Sequence, residues 1–330
     1  MSSRFCPRRL ILWLVAIWCL SLLAAPLIGG HALDLHQVLA GEPAASTIFW
    51  QLRLPRVLLA LLAGGALAAA GAGYQTLFRN DLAEPYTLGV AVGAALGAVL
   101  AIRLAPEGSF LGLSWTSVGS FLGALAASAL VFGLAQRRRS SSGSSLLLAG
   151  IAVSLSCTAL ILFLQYLSDS TQTFRMVRWT MGGLAVVGYR EVLWVLPWVL
   201  GGGFVLTRRR WELDLLLTGE ELAASRGVDL VRLRLTILAA TSAMVGAVVA
   251  VAGPIGFVGL MIPHMLRRWI GSDHRFLLPA CLLAGGIFLT LCDAAARVAL
   301  APAELPVGIL TALLGGPFFL WLIFWDGGSG

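Results

Sequence analysis

Residues 54–78 read LPRVLLALLAGGALAAAGAGYQTLF, an apolar run whose only charge, Arg56, stands near its start. The run exceeds the ~20 residues that a helix needs to cross a bilayer. Several other stretches of the chain approach or exceed that length. Inside the run Gly64, Ala68 and Ala72 recur at four-residue spacing, and Gly89, Gly93 and Gly97 do the same in the next run. Stripes of small residues let helix backbones approach closely. We expect them to serve packing within one chain rather than a dedicated dimer face.

The whole composition agrees. Of 330 residues 58% are hydrophobic and 12% charged, against roughly 25% charged in ordinary soluble domains. Hydrogen bonding inside lipid must be satisfied within each segment, which predicts an all-α polytopic integral membrane protein, a helical bundle. Ten transmembrane helices can be drawn, at about 10–30, 54–78, 86–104, 113–135, 145–167, 190–207, 234–252, 255–269, 276–299 and 306–325, the eighth short enough to cross only in part. Arg8 and Arg9 precede a first run longer than a signal-peptide core, so a retained first span is expected.

The net charge is +7, and every basic residue is arginine. The arginines collect in short connections at Arg8-Arg9, Arg137–Arg139, Arg208–Arg210 and Arg267-Arg268. This is the pattern of the positive-inside rule, not of a nucleic-acid surface. With both termini cytoplasmic, sixteen arginines fall inside and seven (Arg53, Arg56, Arg103, Arg175, Arg178, Arg190 and Arg297) outside or at the outer edge; the reverse topology would put the excess outside. The chain then reads as one domain, 1–330, with an amphipathic outer interfacial helix at about 170–185, broken by Gly182-Gly183, and a long cytoplasmic segment at about 211–234. A further outer loop, 31–53, reads as mixed polar and apolar.

No catalytic set assembles. The five cysteines are scattered, which suggests small core residues rather than zinc ligands or a disulfide framework. The four histidines are far apart, and no metal site is expected. A phosphate-binding Gly-x-x-x-x-Gly-Lys-Ser/Thr loop is impossible in a chain without lysine. Asp293 is the one convincing intramembrane carboxylate, and Arg297, four residues on, makes a local ion pair its simplest role, ahead of a proton relay. Residues Thr218–Val228 read as a short polar helix ended by glycine, either a solvated loop or a shape suited to the groove of a partner protein.

Six stretches resemble the FecCD family of ABC importer permeases: Gln51–Arg56, Arg79–Val90, Leu146–Gly150, Gly253–Arg267, Gly271–Pro279 and Glu304–Thr311. The likeness covers nearly the whole chain and implies the type II ABC importer permease architecture in a bacterial cytoplasmic (inner) membrane. It implies a second permease copy or a paralogue, two cytoplasmic ATP-binding subunits that hold ATP and Mg, and a periplasmic or lipoprotein substrate-binding protein. The chain itself would bind no cofactor and would import a bulky metal chelate, a ferric siderophore first, with haem and cobalamin as the nearest alternatives. Coupling to the ATPase would fall to Glu220, Glu221, Ala224, Arg226 and Gly227. Docking of the binding protein would fall to Arg53, Arg56 and Arg297. The cytoplasmic gate would lie at the turns carrying Asn80 and Leu82, and Gly143 and Ser144. The chain departs from the family where Asp81 replaces the usual proline. An ion-coupled secondary transporter is the reading from another class; it would show broken helices with polar midplane residues and no need of a docking helix.

Overall fold

The computed structural model describes residues 6–29, 35–86, 89–105, 108–110, 112–137, 143–301 and 303–326. A helix overlies each of the ten apolar segments: α1 (Pro7–Ala24), α2 (Leu54–Phe78), α3 (Val90–Leu104), α4 (Trp115–Arg137), α5 (Gly143–Tyr166), α6 (Arg190–Arg208), α7 (Leu230–Ala252), α8 (Val258–Ile270), α9 (His274–Ala299) and α10 (Val307–Asp326). Six helical stretches are long and apolar enough to cross a membrane: Pro7–Leu27, Pro43–Phe78, Trp115–Leu134, Leu146–Tyr166, Leu230–Ala252 and His274–Ala299. Helix α3 and Val307–Leu322 are apolar but shorter. Helix α8, about 20 Å long, cannot cross a core of ~30 Å by itself. The strand content among the described residues is one two-stranded hairpin, Ser109–Phe110 paired with Leu113–Ser114.

Helix α2 is the axis of the bundle. It packs against α6, α7, α8 and α9 and is buried on nearly every side from Val57 to Phe78. Glycine makes this possible. A β-carbon on Gly64 would stand 2.1 Å from the carbonyl oxygen of Gly285 in α9, and one on Gly71 would stand 1.7 Å from that of Gly259 in α8. Backbones therefore touch directly. Helices α3 and α4 repeat the device: a β-carbon on Gly97 would lie 2.0 Å from the Gly119 carbonyl oxygen, and Gly93 faces Gly123. The stripes thus pack within the chain, except that Gly89 forms the N-cap of α3 with φ +79°.

Three local expectations need correction. The 31–53 connection is largely helical where described: Leu35–Leu39, Pro43–Thr47 and a π-helical turn Ile48–Arg53 that runs on into α2. Pro55 explains part of this geometry, because it has no N–H to give the Gln51 carbonyl four residues back. That carbonyl instead accepts from the Gly188 N–H at 2.7 Å. The interfacial helix spans Ser170–Thr180, shorter than 170–185, because Gly182 turns left-handed (φ +68°). Gly182 sits where a β-carbon would be 2.2 Å from the Pro254 carbonyl oxygen. Cys157, Cys281 and Cys292 are buried small residues as expected, whereas Cys6 and Cys19 are exposed.

These backbone contacts lead to a direct test. Gly71→Val should abolish a stable, monodisperse protein in detergent, since backbone, not a flexible side chain, occupies the needed space. Gly133→Ala, where nothing lies within 4 Å, should leave the thermal melting and size-exclusion profile unchanged.

Candidate functional site

One end of the bundle carries Arg208–Arg210, the 211–234 segment and Arg267. There α6 is followed by helix Arg210–Leu217 and then by the short helix Glu220–Ser225. The glycine that was expected to end the short helix does so. Gly227 has φ +86°, its N–H bonds the Ala224 carbonyl at 2.9 Å, and the Val228 N–H bonds the Ala223 carbonyl at 3.1 Å. This is a Schellman cap, completed by burial of Ala223 and Val228. The candidate coupling residues divide into two groups. Glu220 turns toward the bundle and pairs with the buried Arg234 of α7 at 2.6 Å. Glu221, Ala224, Arg226 and Gly227 are exposed. Sequence reading gave Glu220 and Glu221 the same coupling role; a six-residue helix gives too short a pattern to tell which glutamate points in.

The candidate gate positions are also resolved in part. After α2, Arg79 adopts a left-handed conformation (φ 48°), and the Asn80 side-chain oxygen accepts from the Leu82 N–H at 2.9 Å. Leu82 is 56% exposed on this fixed turn. Gly143 and Ser144 form the first turn of α5 rather than a connecting turn, and their side chains lie outside the described residues. In the same 79–89 connection, burial pushes the Glu84 carboxyl up to about 7, opposed in part by a hydrogen bond from the Phe257 backbone.

At the opposite end Arg53, Arg56 and Arg297 meet, although 237 positions separate Arg56 from its carboxylate partner, Asp293. The Arg56 Nε donates to Asp293 Oδ1 at 2.9 Å, and its Nη1 to Glu304 Oε2 at 2.6 Å. Arg297 pairs with the same Asp293 at 3.2 Å across one helical turn and donates to the Ala25 carbonyl at 3.1 Å. The local pair expected for Asp293 is therefore present, with a second arginine added. Arg53 donates to the carbonyls of Pro26 and Leu27, both at 3.2 Å. These carbonyls are left over where α1 ends, so Arg53 fastens α1 to the head of α2. A cavity of about 740 Å³ opens over the cluster, lined by Gly29, Arg53, Arg56, Val187, Arg297 and Glu304. Sequence reading missed Glu304, whose only signal was its place beside Leu305-Pro306 in a quoted stretch.

With this geometry in hand, comparison with known proteins is direct. The profile of the FecCD transport family matches residues 12–325. The hemin transport system permease protein of Yersinia pestis is 39% identical over 329 residues, which cover 98% of this chain and 97% of that protein. The vitamin B12 import system permease protein of Salmonella paratyphi A is 40% identical over 327 residues, 96% of each. A solved inward-facing structure assigned to the metal-chelate type of ABC transporter superposes with a TM-score of 0.86 at 33% identity, over 96% of this chain and 99% of that one. The chain belongs to the FecCD family of ABC importer permeases, transport subunits whose ATP hydrolysis resides in separate ATP-binding subunits.

Three substitutions check the electrostatics. Asp293→Ala leaves the buried Arg297 without its carboxylate and Arg56 with Glu304 alone, and should destabilise the protein by about 3–5 kcal/mol. Glu304→Ala, whose side chain is 53% exposed, should cost no more than about 1 kcal/mol. Below the ordinary carboxylate range Glu84 is protonated in the folded and unfolded states alike. Between about 4.5 and about 7 only the unfolded state ionises, so stability falls as pH rises through that window. Glu84→Gln should therefore melt above the wild type at about pH 8, with the difference closing towards about pH 4.5.

Proposed function

We propose that this permease spans a bacterial cytoplasmic membrane ten times with both termini cytoplasmic, and forms a translocation pore with a second copy or a paralogue. Two ATP-binding subunits dock on residues 218–228. A substrate-binding protein delivers a bulky metal chelate to the opposite face. The observation that carries this reading is the short helix Glu220–Ser225. It is fixed to the bundle by the Glu220–Arg234 pair and the Gly227 cap, yet it presents Glu221, Ala224 and Arg226 to solvent. A polar knob held rigidly on an apolar protein suits the groove of a motor subunit better than it suits water alone.

Transport then follows from rigid parts. Nucleotide-driven closure of the motors moves the docked helices, and the bundle passes between two packings. The pathway needs no catalytic group in this chain. At the delivery face, Arg53 and Arg297 are turned to the chain's own carbonyls, so direct contact with a binding protein falls chiefly to Arg56. Its exposed partner Glu304 could give way to an incoming carboxylate, and rim pairs of this kind steer orientation more than they add affinity. For the ligand we place a ferric siderophore first. The names of the two relatives, hemin and vitamin B12 permeases, make haem and cobalamin the comparison ligands.

The test is reconstitution with ATP-binding and substrate-binding proteins from the same organism. The wild type should co-purify with the ATPase and hydrolyse ATP in proteoliposomes. Glu221→Arg and Arg226→Glu should each lose assembly while the permease alone keeps its melting temperature. Uptake of labelled ferric siderophore, haem and cobalamin, measured in parallel, identifies the ligand. Assembly untouched by both reversals would remove the docking assignment.

A further inference from the structure

Five side chains from five separate elements form one continuous hydrogen-bonded chain at the arginine-rich end, and none has a place in the reading above. Asp214 lies on helix Arg210–Leu217, two turns before the docking helix. Its Oδ1 meets the His274 Nδ1 at 2.5 Å and the His274 backbone N–H at 3.0 Å. His274 opens α9, and its Nε2 meets the Thr76 hydroxyl, in the last turn of α2, at 2.8 Å. The Thr76 oxygen accepts from Arg267 Nη2, in the last turn of α8, at 3.3 Å. Arg267 Nη1 reaches Asp81 Oδ1 at 3.2 Å, and also the Gln75 side-chain oxygen. Asp81 sits in the turn that displays Leu82.

Donor chemistry gives this chain a direction. A carboxylate only accepts, so the Nδ1 of His274 carries the proton toward Asp214. In the neutral ring Nε2 then accepts, so the Thr76 hydroxyl must donate to it, which leaves its oxygen lone pairs for Arg267. Arg267 also holds the Ala72 carbonyl at 3.3 Å, and the two central groups, Thr76 and His274, are 0% and 1% exposed. No water can replace either bond without a repacking of α2 against α9. A buried chain of this kind is rigid while complete, and the loss of one link leaves unpaired polar groups behind.

We propose that Asp214, His274, Thr76, Arg267 and Asp81 are positioning residues that transmit displacement of the docking helix to the turn 80–82. The inference rests on the docking of an ATP-binding subunit at residues 218–228. Asp214 is carried by the helix that leads into the docked element, so movement there pulls on the start of α9. Thr76 and Arg267 pass the pull to the ends of α2 and α8, and Asp81 delivers it to the turn. The departure noted at position 81 fits this role, because proline has no side-chain acceptor to offer Arg267.

The experiment compares Thr76→Val with Thr76→Ser in the assembled transporter in proteoliposomes, reading ATP hydrolysis and ligand uptake together. Valine keeps the shape and removes the hydroxyl; serine keeps the hydroxyl. Thr76→Ser should behave as wild type. Thr76→Val should hydrolyse ATP within about two-fold of wild type while uptake per ATP falls about ten-fold. Asp81→Ala, at a side chain 67% exposed, should lower uptake per ATP in the same direction, and the double variant should be no worse than Thr76→Val alone. Equal uptake per ATP in the valine and serine variants would overturn the inference. So would parallel loss of hydrolysis and uptake, which marks a role in assembly, and so would an Asp81→Ala that transports as wild type. Failure of the wild type itself to assemble with its ATPase would instead reject the docking premise.

Discussion

Backbone-to-backbone contact along α2 is the constraint from which the rest of the bundle follows. In lipid no hydrophobic force drives one apolar helix against another, so close packing must supply the attraction. Gly64 on Gly285 and Gly71 on Gly259 bring main chains within touching distance. A helix gripped this way on every side can neither slide nor rotate without breaking contact over its whole length. It can move only as a rod with its neighbours. The polar ends of the rod are Arg56 and the Gln75-Thr76 pair, twenty residues apart, or about 30 Å of helix. That matches the hydrocarbon thickness. The apolar length of α2 thus places one polar cluster at each face of the membrane and fixes their separation.

The two clusters solve different electrostatic problems. At the Arg56 end, Asp293 is 1% exposed and would be costly alone; two arginines, one from its own helix and one from α2, compensate it. Arg53 and Arg297 each also bind carbonyls released where α1 stops. The charges there tie α1, α2 and α9 into one body. At the Thr76 end the groups run from one element to the next across the ends of α2, α8 and α9, with Arg267 holding α2 at Gln75, Thr76 and the Ala72 carbonyl together.

Much of this was legible in the sequence, and the reasons differ from element to element. Helix positions were read to within a few residues because apolar run length is a one-dimensional property. Close approach at Gly64, Gly93 and Gly97 followed from four-residue spacing, and the expected packing within the chain is what these glycines show. Gly227 announced the end of the short helix Glu220–Ser225 because a Schellman cap is a local rule. What failed was long-range or too short to average. Nothing local told that Arg56 would find Asp293, or that Gly188 would satisfy the carbonyl orphaned by Pro55. Glu220 and Glu221 are adjacent, and only the position of Arg234 in the folded bundle decides which one turns inward. The 31–53 segment looked like a loop because its polar residues broke the apolar count, although Pro43 starts a helix that is continuous with α2.

His274 shows why a motif can be read and its function still missed. The stretch Gly271–Pro279 was singled out for its likeness to the family, and Asp273 explains its local part by capping α9 through the Arg275 N–H at 2.8 Å. The histidine beside it looks redundant until α2 and Arg210–Leu217 are in place, because its two ring nitrogens bind elements 198 residues back and 60 residues back in the chain. A side chain with two opposed nitrogens can bond both helices at once. The imidazole at the first residue of α9 thereby ties Arg210–Leu217 to the end of α2.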